Sequence, residues 1–311
     1  MRCCAGVFWA IYTGMIHNTR VASSPVGTAR DLQVVQELYQ EDWWLDGLAA
    51  RNTSMIWLRE AAHNYEITAF EAYLDVYVLT GDVRYLKAME GAWELMRNHW
   101  IHVGGSIALN EGGAGVYPPG SYFLGQRPTG ELCGSSFWIR FNQRYQRLRP
   151  GQEVYSAEIE RSLLNVILAN QASADSNPPG IRYFAQLEGS KAIPSNVVTC
   201  CESQGTRTYG ALPEFLYSNR SDQYLRAPAS HFQCCRQAWL QLAPSISRLT
   251  RLTAIGAGTT LDGGVFVHLF APSMFKGDRF NLTQSTVFPG NGSVSLFLSK
   301  EPTRREAVAI M

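Results

Sequence analysis

Residues 66–96 read EITAFEAYLDVYVLTGDVRYLKAMEGAWELM, and this stretch decides the fold class. Ile67, Phe70, Leu74 and Tyr77 recur at i, i+3, i+7 and i+10, which lines one face of a helix. The run stops at Leu79-Thr80-Gly81-Asp82. Gly81 suits the left-handed position that ends a helix, and the Asp82 side chain can cap the next one. Leu86, Met89, Trp93 and Met96 then form a second stripe. Phe137, Phe141, Tyr145 and Leu148 make a third, and Ile159, Leu163, Val166 and Ile167 a fourth. Consecutive helices with short connections and broad apolar faces point to paired helices, in a bundle or an α/α barrel.

Outward from these helices the periodicity changes. Between His102 and Gly130 it stops in favour of glycine and proline, with Gly104-Gly105, Gly112-Gly113 and Pro118-Pro119. A long irregular loop inside a compact domain is commonly a functional one. Near the C-terminus, Val265, Val267 and Leu269 alternate, as do Val294, Leu296 and Leu298, which is strand spacing. Asn291-Gly292 favours a tight hairpin turn between strand-like runs. The fold class expected is therefore mainly α, with the start of a β-sandwich after it. The boundaries read as residues 1–30 unassigned or signal-like, 31–223 helical, 224–261 an atypical insertion and 262–311 the start of the β-sandwich.

Composition narrows the function classes. Hydrophobic residues make up 46% and charged residues 17% of the 311, the balance of a globular chain. Net charge is +1 with Lys and Arg scattered, so the basic footprint of a nucleic-acid binder is missing. The apolar run from Cys3 to Ile16 is too short to span a bilayer and fits a signal-peptide core, and no later stretch is long enough either. N-glycosylation sequons at Asn52, Asn219, Asn281 and Asn291 agree with a secreted or extracellular protein. Eight Trp and fourteen Tyr suit carbohydrate platforms, although ordinary cores use them as well.

The seven cysteines are Cys3, Cys4, Cys133, Cys200, Cys201, Cys234 and Cys235. An odd number with three adjacent pairs is no disulfide framework. Glu131 and Cys133 together with Cys200 and Cys201 offer three thiolates and one carboxylate, a donor set for tetrahedral Zn²⁺. Glu131 and Cys133 reach one ion only where the backbone between them is not yet fully helical. The competing reading is a buried Cys133 with an unrelated Cys pair.

From Asn52 to Ser218 the chain resembles the catalytic domain of glycoside hydrolase family 127. The matching pieces come in order: His63-Asn64-Tyr65-Glu66, Leu79-Thr80-Gly81-Asp82, and Gly104-Gly105-Ser106 with Glu111 beyond it. Then follow Gly130-Glu131-Leu132-Cys133, a helix with Asn165 and Gln171, and Thr199-Cys200-Cys201 ahead of Gly205-Thr206-Arg207.

The resemblance implies an (α/α)6 barrel, here partial, followed by β-sandwich modules. It also implies a retaining exo-glycosidase releasing L-arabinofuranose-type sugars from a carbohydrate substrate. Zn²⁺ would be held by Glu131, Cys133, Cys200 and Cys201, with Cys200 as nucleophile and Glu111 as acid/base. The spacing from Glu111 to Glu131 is longer than the family's usual one. His63 and Tyr183 are the candidates for sugar contact. Aligned through the Leu79-Thr80-Gly81-Asp82 turn, His63 falls one position from the family's sugar-contacting His, so a structural His is an equal reading. Glu202 reads as a neighbour of the zinc ligands or a solvated residue, and Arg207 as an anchor for the Cys-pair loop.

Two departures shape the expectation. The family carries a long helical region ahead of the position of Asp31, so the chain reads as truncated at both ends. Tyr224 to Leu261 has no sustained period, and in the family its flanks would nearly adjoin, which suggests intron-like sequence. The alternative to an active glycosidase is an inactive zinc-stabilised carbohydrate-binding or scaffold protein.

Overall fold

The computed structural model describes residues 42–57, 63–107, 119–121, 123, 131–149, 151–172, 180–184, 200–219, 265–276, 281–288, 290–299 and 308–310. The segments 1–30 and 224–261 lie outside them. The described part is mainly helical. The chain divides into two compact units, Met1–Arg144 with Arg161–Thr208, and Tyr145–Glu160 with Tyr209–Met311.

In the first unit, α1 is Asp42–Ala49, α2 is Ser54–Trp57, α3 is His63–Thr80 and α4 is Val83–Leu95. A wider turn over Met96–Trp100 extends α4. Helix α5 runs Leu132–Leu148, its last turn from Tyr145 belonging to the second unit; α6, Glu153–Ser162, lies in the second unit up to Glu160, and its continuations Leu163–Ile167 and Leu168–Asn170 return to the first. Helix α7, Cys200–Gly210, completes this set.

The turn between α3 and α4 forms for the reason its residues suggest. Gly81 has φ 74°, and its N–H donates to the Tyr77 carbonyl at 2.7 Å. Asp82 then accepts from the Arg84 N–H at 2.9 Å, satisfying a donor that the first turn of α4 leaves open. The stripe of α3 is fully buried, as are Leu86, Met89, Trp93 and Met96. Aromatic rings carry the packing: Trp44 stacks on Phe70 at 5.7 Å and Trp93 on Trp138 at 6.0 Å. Phe141 meets both Phe70 and Trp138. Burying such rings contributes about 2–3 kcal/mol each. Gly91 lets α1 and α4 touch, since a Cβ there would stand 1.8 Å from the Leu48 carbonyl oxygen.

One charged cluster ties α3 to α5. Arg144 donates to Glu71 at 2.6 Å and spans both oxygens of Asp75 at 2.8 and 2.9 Å. Arg140 lies 3.6 Å from Glu71. Its position on the polar edge of the α5 stripe explains why the apolar pattern gives no hint of it.

Among the described residues of the second unit, α8 is Leu212–Leu216, and six strands follow: β1 Tyr217–Asn219, β2 Val265–Val267, β3 Ser273–Lys276, β4 Asn281–Thr286, β5 Val294–Ser299 and β6 Val308–Ile310. They make two three-stranded sheets, ordered β1-β2-β6 and β3-β4-β5. Val267 of the first sheet and Leu282 of the second share a small apolar cluster with Tyr217, Phe270, Phe275 and Leu296. Strand structure begins at Tyr217, ahead of the boundary that alternation suggests. Three residues are too few to show a period, and β1 exists through its antiparallel partner, with Tyr217 opposite Val267. The two flanks of the intervening segment are thus adjacent strands.

The hairpin between β4 and β5 is present, but Asn291-Gly292 does not make the tight two-residue turn expected. Thr286 pairs with Val294, so the loop covers residues 287–293. Side chains close it: the Asn291 carboxamide oxygen accepts from the Ser293 N–H at 2.6 Å, and the Thr286 hydroxyl donates to the Ser293 carbonyl at 2.8 Å. Asx-type closure competes here with the two-residue turn that Asn-Gly favours.

Candidate metal centre

Glu131 is the last extended residue before α5 begins at Leu132. It bridges Phe184, and the Leu132 N–H donates to the Tyr183 carbonyl at 3.1 Å. Isolated bridges from Ile181 to Gln171 and from Phe184 to Glu131 brace this segment against the start of α5. Cys133 follows in the first turn. This switch from extended to helical backbone lets side chains two apart point the same way, which a regular helix forbids.

Cys200 and Cys201 open α7, whose buried face is Cys201, Gln204, Gly205 and Thr208. Gly205 sets the approach of that face. A Cβ there would stand 2.9 Å from Ile181 Cδ1 and 3.2 Å from Leu132 Cδ2. The start of α7 consequently lies over the start of α5.

One ligand atom from each of Glu131, Cys133, Cys200 and Cys201 falls within 4.8 Å of all the others. Cys201 Sγ stands 3.3 Å from Glu131 Oε1 and 3.3 Å from Cys133 Sγ. Zn–S bonds of about 2.3 Å put tetrahedral sulfurs roughly 3.8 Å apart; the Cys133–Cys201 pair, at 3.3 Å, is slightly closer than that edge, and all four donors lie within 4.8 Å. Three sulfurs and one oxygen also match the donor preference of zinc, and the residues present fit the ion.

The four side chains are not equivalent. Glu131, Cys133 and Cys201 are buried, whereas Cys200 is exposed. Hydrogen bonds from Cys133, from Cys201 and, more weakly, from the Tyr183 hydroxyl pull the Cys200 thiol down to about 2. Cys133 is pushed far up by its bonds to Cys200 and Cys201, by burial and by the Glu131 carboxylate. The cluster thus concentrates thiolate character on the sulfur that faces solvent, the reactive form of cysteine.

The remaining sequence candidates are placed as follows. The Tyr183 hydroxyl lies 3.7 Å from Cys200 Sγ, against the sulfur itself. His63 is the first residue of α3, and its side chain lies outside the described residues, as does Glu111. The base of the loop that carries Glu111 is described. Gly105 has φ 93°, and its carbonyl accepts from the Ser162 hydroxyl at 2.7 Å. Ile101 and Ile107 bridge across the turn. Glu202 is half-buried and Arg207 exposed on α7. Sequence reasoning passed over Phe184 and Ile181, and noted Gly205 only as part of the Gly205-Thr206-Arg207 match, without its packing role. Glycine marks close approach only once its neighbour is known, and a bridge of two or three residues has no period.

Comparison with known proteins agrees with this arrangement. The profile of the β-L-arabinofuranosidase GH127 catalytic domain matches residues 56–248. The chain belongs to that family of glycoside hydrolase domains. Among solved structures it is similar to a GH127 β-arabinofuranosidase, with a TM-score of 0.55 and 18% identity over 88% of this chain and 40% of that one. A second, described as a glycoside hydrolase, gives 0.55 and 16% over 80% of this chain and 39% of the other. At this identity the likeness concerns the fold. The chain spans about 40% of the length of the first of these structures. No curated protein matches it.

Proposed function

We propose that this chain carries the catalytic centre of a retaining exo-glycosidase that releases L-arabinofuranose-type sugars, with Cys200 as nucleophile. The observation that carries this reading is the asymmetry of the cluster, three buried ligands around one exposed, thiolate-favouring sulfur. Four protein ligands would fill a tetrahedral zinc and leave no open position for water, so reactivity here rests on the exposed ligand Cys200 rather than on a metal-bound water. Zn²⁺ bound by Glu131, Cys133, Cys200 and Cys201 would keep the thiols deprotonated at neutral pH.

The Cys200 sulfur attacks the anomeric carbon, forming a C–S bond as the C–O bond to the leaving group breaks. Glu111 gives its proton to the leaving oxygen. Water then attacks the same carbon, Glu111 takes its proton, and the C–S bond breaks to return the thiolate. Two displacements at one carbon restore its configuration. With Cys200 as the thiolate, the Tyr183 hydroxyl at 3.7 Å would donate to its sulfur. The fold-family match and the β-arabinofuranosidase among similar structures support the sugar class.

The test compares zinc content and hydrolysis of p-nitrophenyl β-L-arabinofuranoside in the unmodified chain, Cys200→Ser and Glu111→Gln. About one zinc per chain, with turnover lost in both variants, is expected. Zinc without turnover in the unmodified chain would favour a zinc-stabilised carbohydrate-binding or scaffold protein instead.

A further inference from the structure

Four sequons stand in the sequence, and the structure separates them. Asn52-Thr53-Ser54 lies in the first unit between α1 and α2, and Asn291-Gly292-Ser293 in the β4–β5 loop of the second. Both asparagines are exposed. Both are built alike: the side-chain oxygen of Asn52 accepts from the Ser54 N–H at 3.0 Å, and that of Asn291 from the Ser293 N–H at 2.6 Å. In each case the partner is the residue that supplies the sequon hydroxyl. Tying back Oδ1 leaves Nδ2, the atom that would carry a glycan, without a hydrogen bond among the described residues.

Asn281 differs. It is half-buried in the central strand β4, with Lys276 and Ser299 paired on either side. It shares the less buried face of β4 with Thr283 and Ser285, between exposed Lys276 and Ser299, and no side-chain turn to its sequon hydroxyl is present among the described residues. Asn219 is also a strand residue, paired with Val265.

We propose that Asn52 and Asn291 are N-glycosylation sites of this protein. The donor is a lipid-linked oligosaccharide diphosphate. The Asn Nδ2 forms a bond to the anomeric carbon, the bond from that carbon to the diphosphate breaks, and the lipid diphosphate leaves. The amide gives up one proton, and nothing is oxidised or reduced. A surface glycan at each turn is accommodated without moving buried groups, since neither asparagine packs into a core.

The full chain, fused behind a cleavable leader, is translated with eukaryotic microsomes, and the protease-protected fraction is analysed. Enzymatic deglycosylation in heavy-oxygen water marks each formerly modified asparagine for peptide mass spectrometry. The label is expected at Asn52 and Asn291. Ser54→Ala and Ser293→Ala, which keep the backbone donors but remove the hydroxyls, should each lose one mobility step. Asn52→Gln with Asn291→Gln should lose two. A protected chain whose mobility does not change on deglycosylation, or one labelled at Asn281 in place of the two turn sites, overturns the proposal.

Discussion

The Tyr183 hydroxyl stands 3.7 Å from Cys200 Sγ, the exposed sulfur of a four-ligand cluster. That relationship depends on the short bridge between Phe184 and Glu131, which fixes Tyr183 beside the start of α5 while its ring reaches the start of α7. Two ligand-bearing segments far apart in sequence are thus held by one tyrosine.

Tyr183→Phe removes the donor and keeps the ring. A hydrogen bond to a charged acceptor contributes about 1.5–3 kcal/mol, so kcat/KM should fall roughly 10–150-fold. Zinc content should stay unchanged, because Tyr183 is not among the ligands. Parallel kinetics and metal analysis check this. An unchanged kcat/KM would show that the tyrosine does not act on the sulfur.

Cys133→Ser should empty the metal site. Serine offers a hydroxyl that is a poor zinc ligand, and the shorter oxygen does not reach where sulfur did. The expected outcome is loss of stoichiometric zinc, with a lower thermal midpoint than the zinc-loaded chain. Chelator treatment of the unmodified chain should lower its midpoint in the same direction, since an ion that binds only the folded state adds to its stability. Metal analysis and thermal scans with and without added zinc read both effects.

Arg144→Met should destabilise the first unit severely. The arginine faces Glu71 and Asp75, and Glu71 is buried. Removing one partner of a buried ion cluster leaves charge uncompensated, at a cost of about 3–5 kcal/mol. Changing Glu71→Gln as well should recover part of that loss. Denaturant unfolding of the single and double variants tests the coupling.

The helices were legible through local periodicity, and the cluster of Glu131, Cys133, Cys200 and Cys201 through its donor types together with the family resemblance. Ile67, Phe70, Leu74 and Tyr77 are buried as their spacing requires, and Glu131 and Cys133 converge at the extended-to-helical junction their separation demanded. What escaped depends on partners. Strand β1 forms because Tyr217 meets Val267, and Gly205 matters because Ile181 lies over it. The Asn291-Gly292 turn was misjudged because a side-chain hydrogen bond to Ser293 closes a longer loop. Glu111, placed by resemblance in a stretch without period, lies outside the described residues.

His268 makes the second unit sensitive to acid. It is buried, its backbone N–H donates to the Leu216 carbonyl, and its Nδ1 lies 3.3 Å from the Ser156 hydroxyl, which also accepts from Gln146. Burial pulls its pKa down to about 4. Unfolded histidine takes its proton near 6.5, so between those values the unfolded chain binds more protons than the folded one. Stability is therefore full above about pH 6.5 and falls as pH drops toward 4, by roughly 1.4 kcal/mol per unit and about 3 kcal/mol in all. His268→Gln, which cannot take up a proton, should flatten that slope while leaving the carboxylate-driven loss at lower pH. Urea midpoints measured from pH 7 to pH 4 on both proteins decide it: parallel curves would mean that His268 is protonated in the folded state without cost.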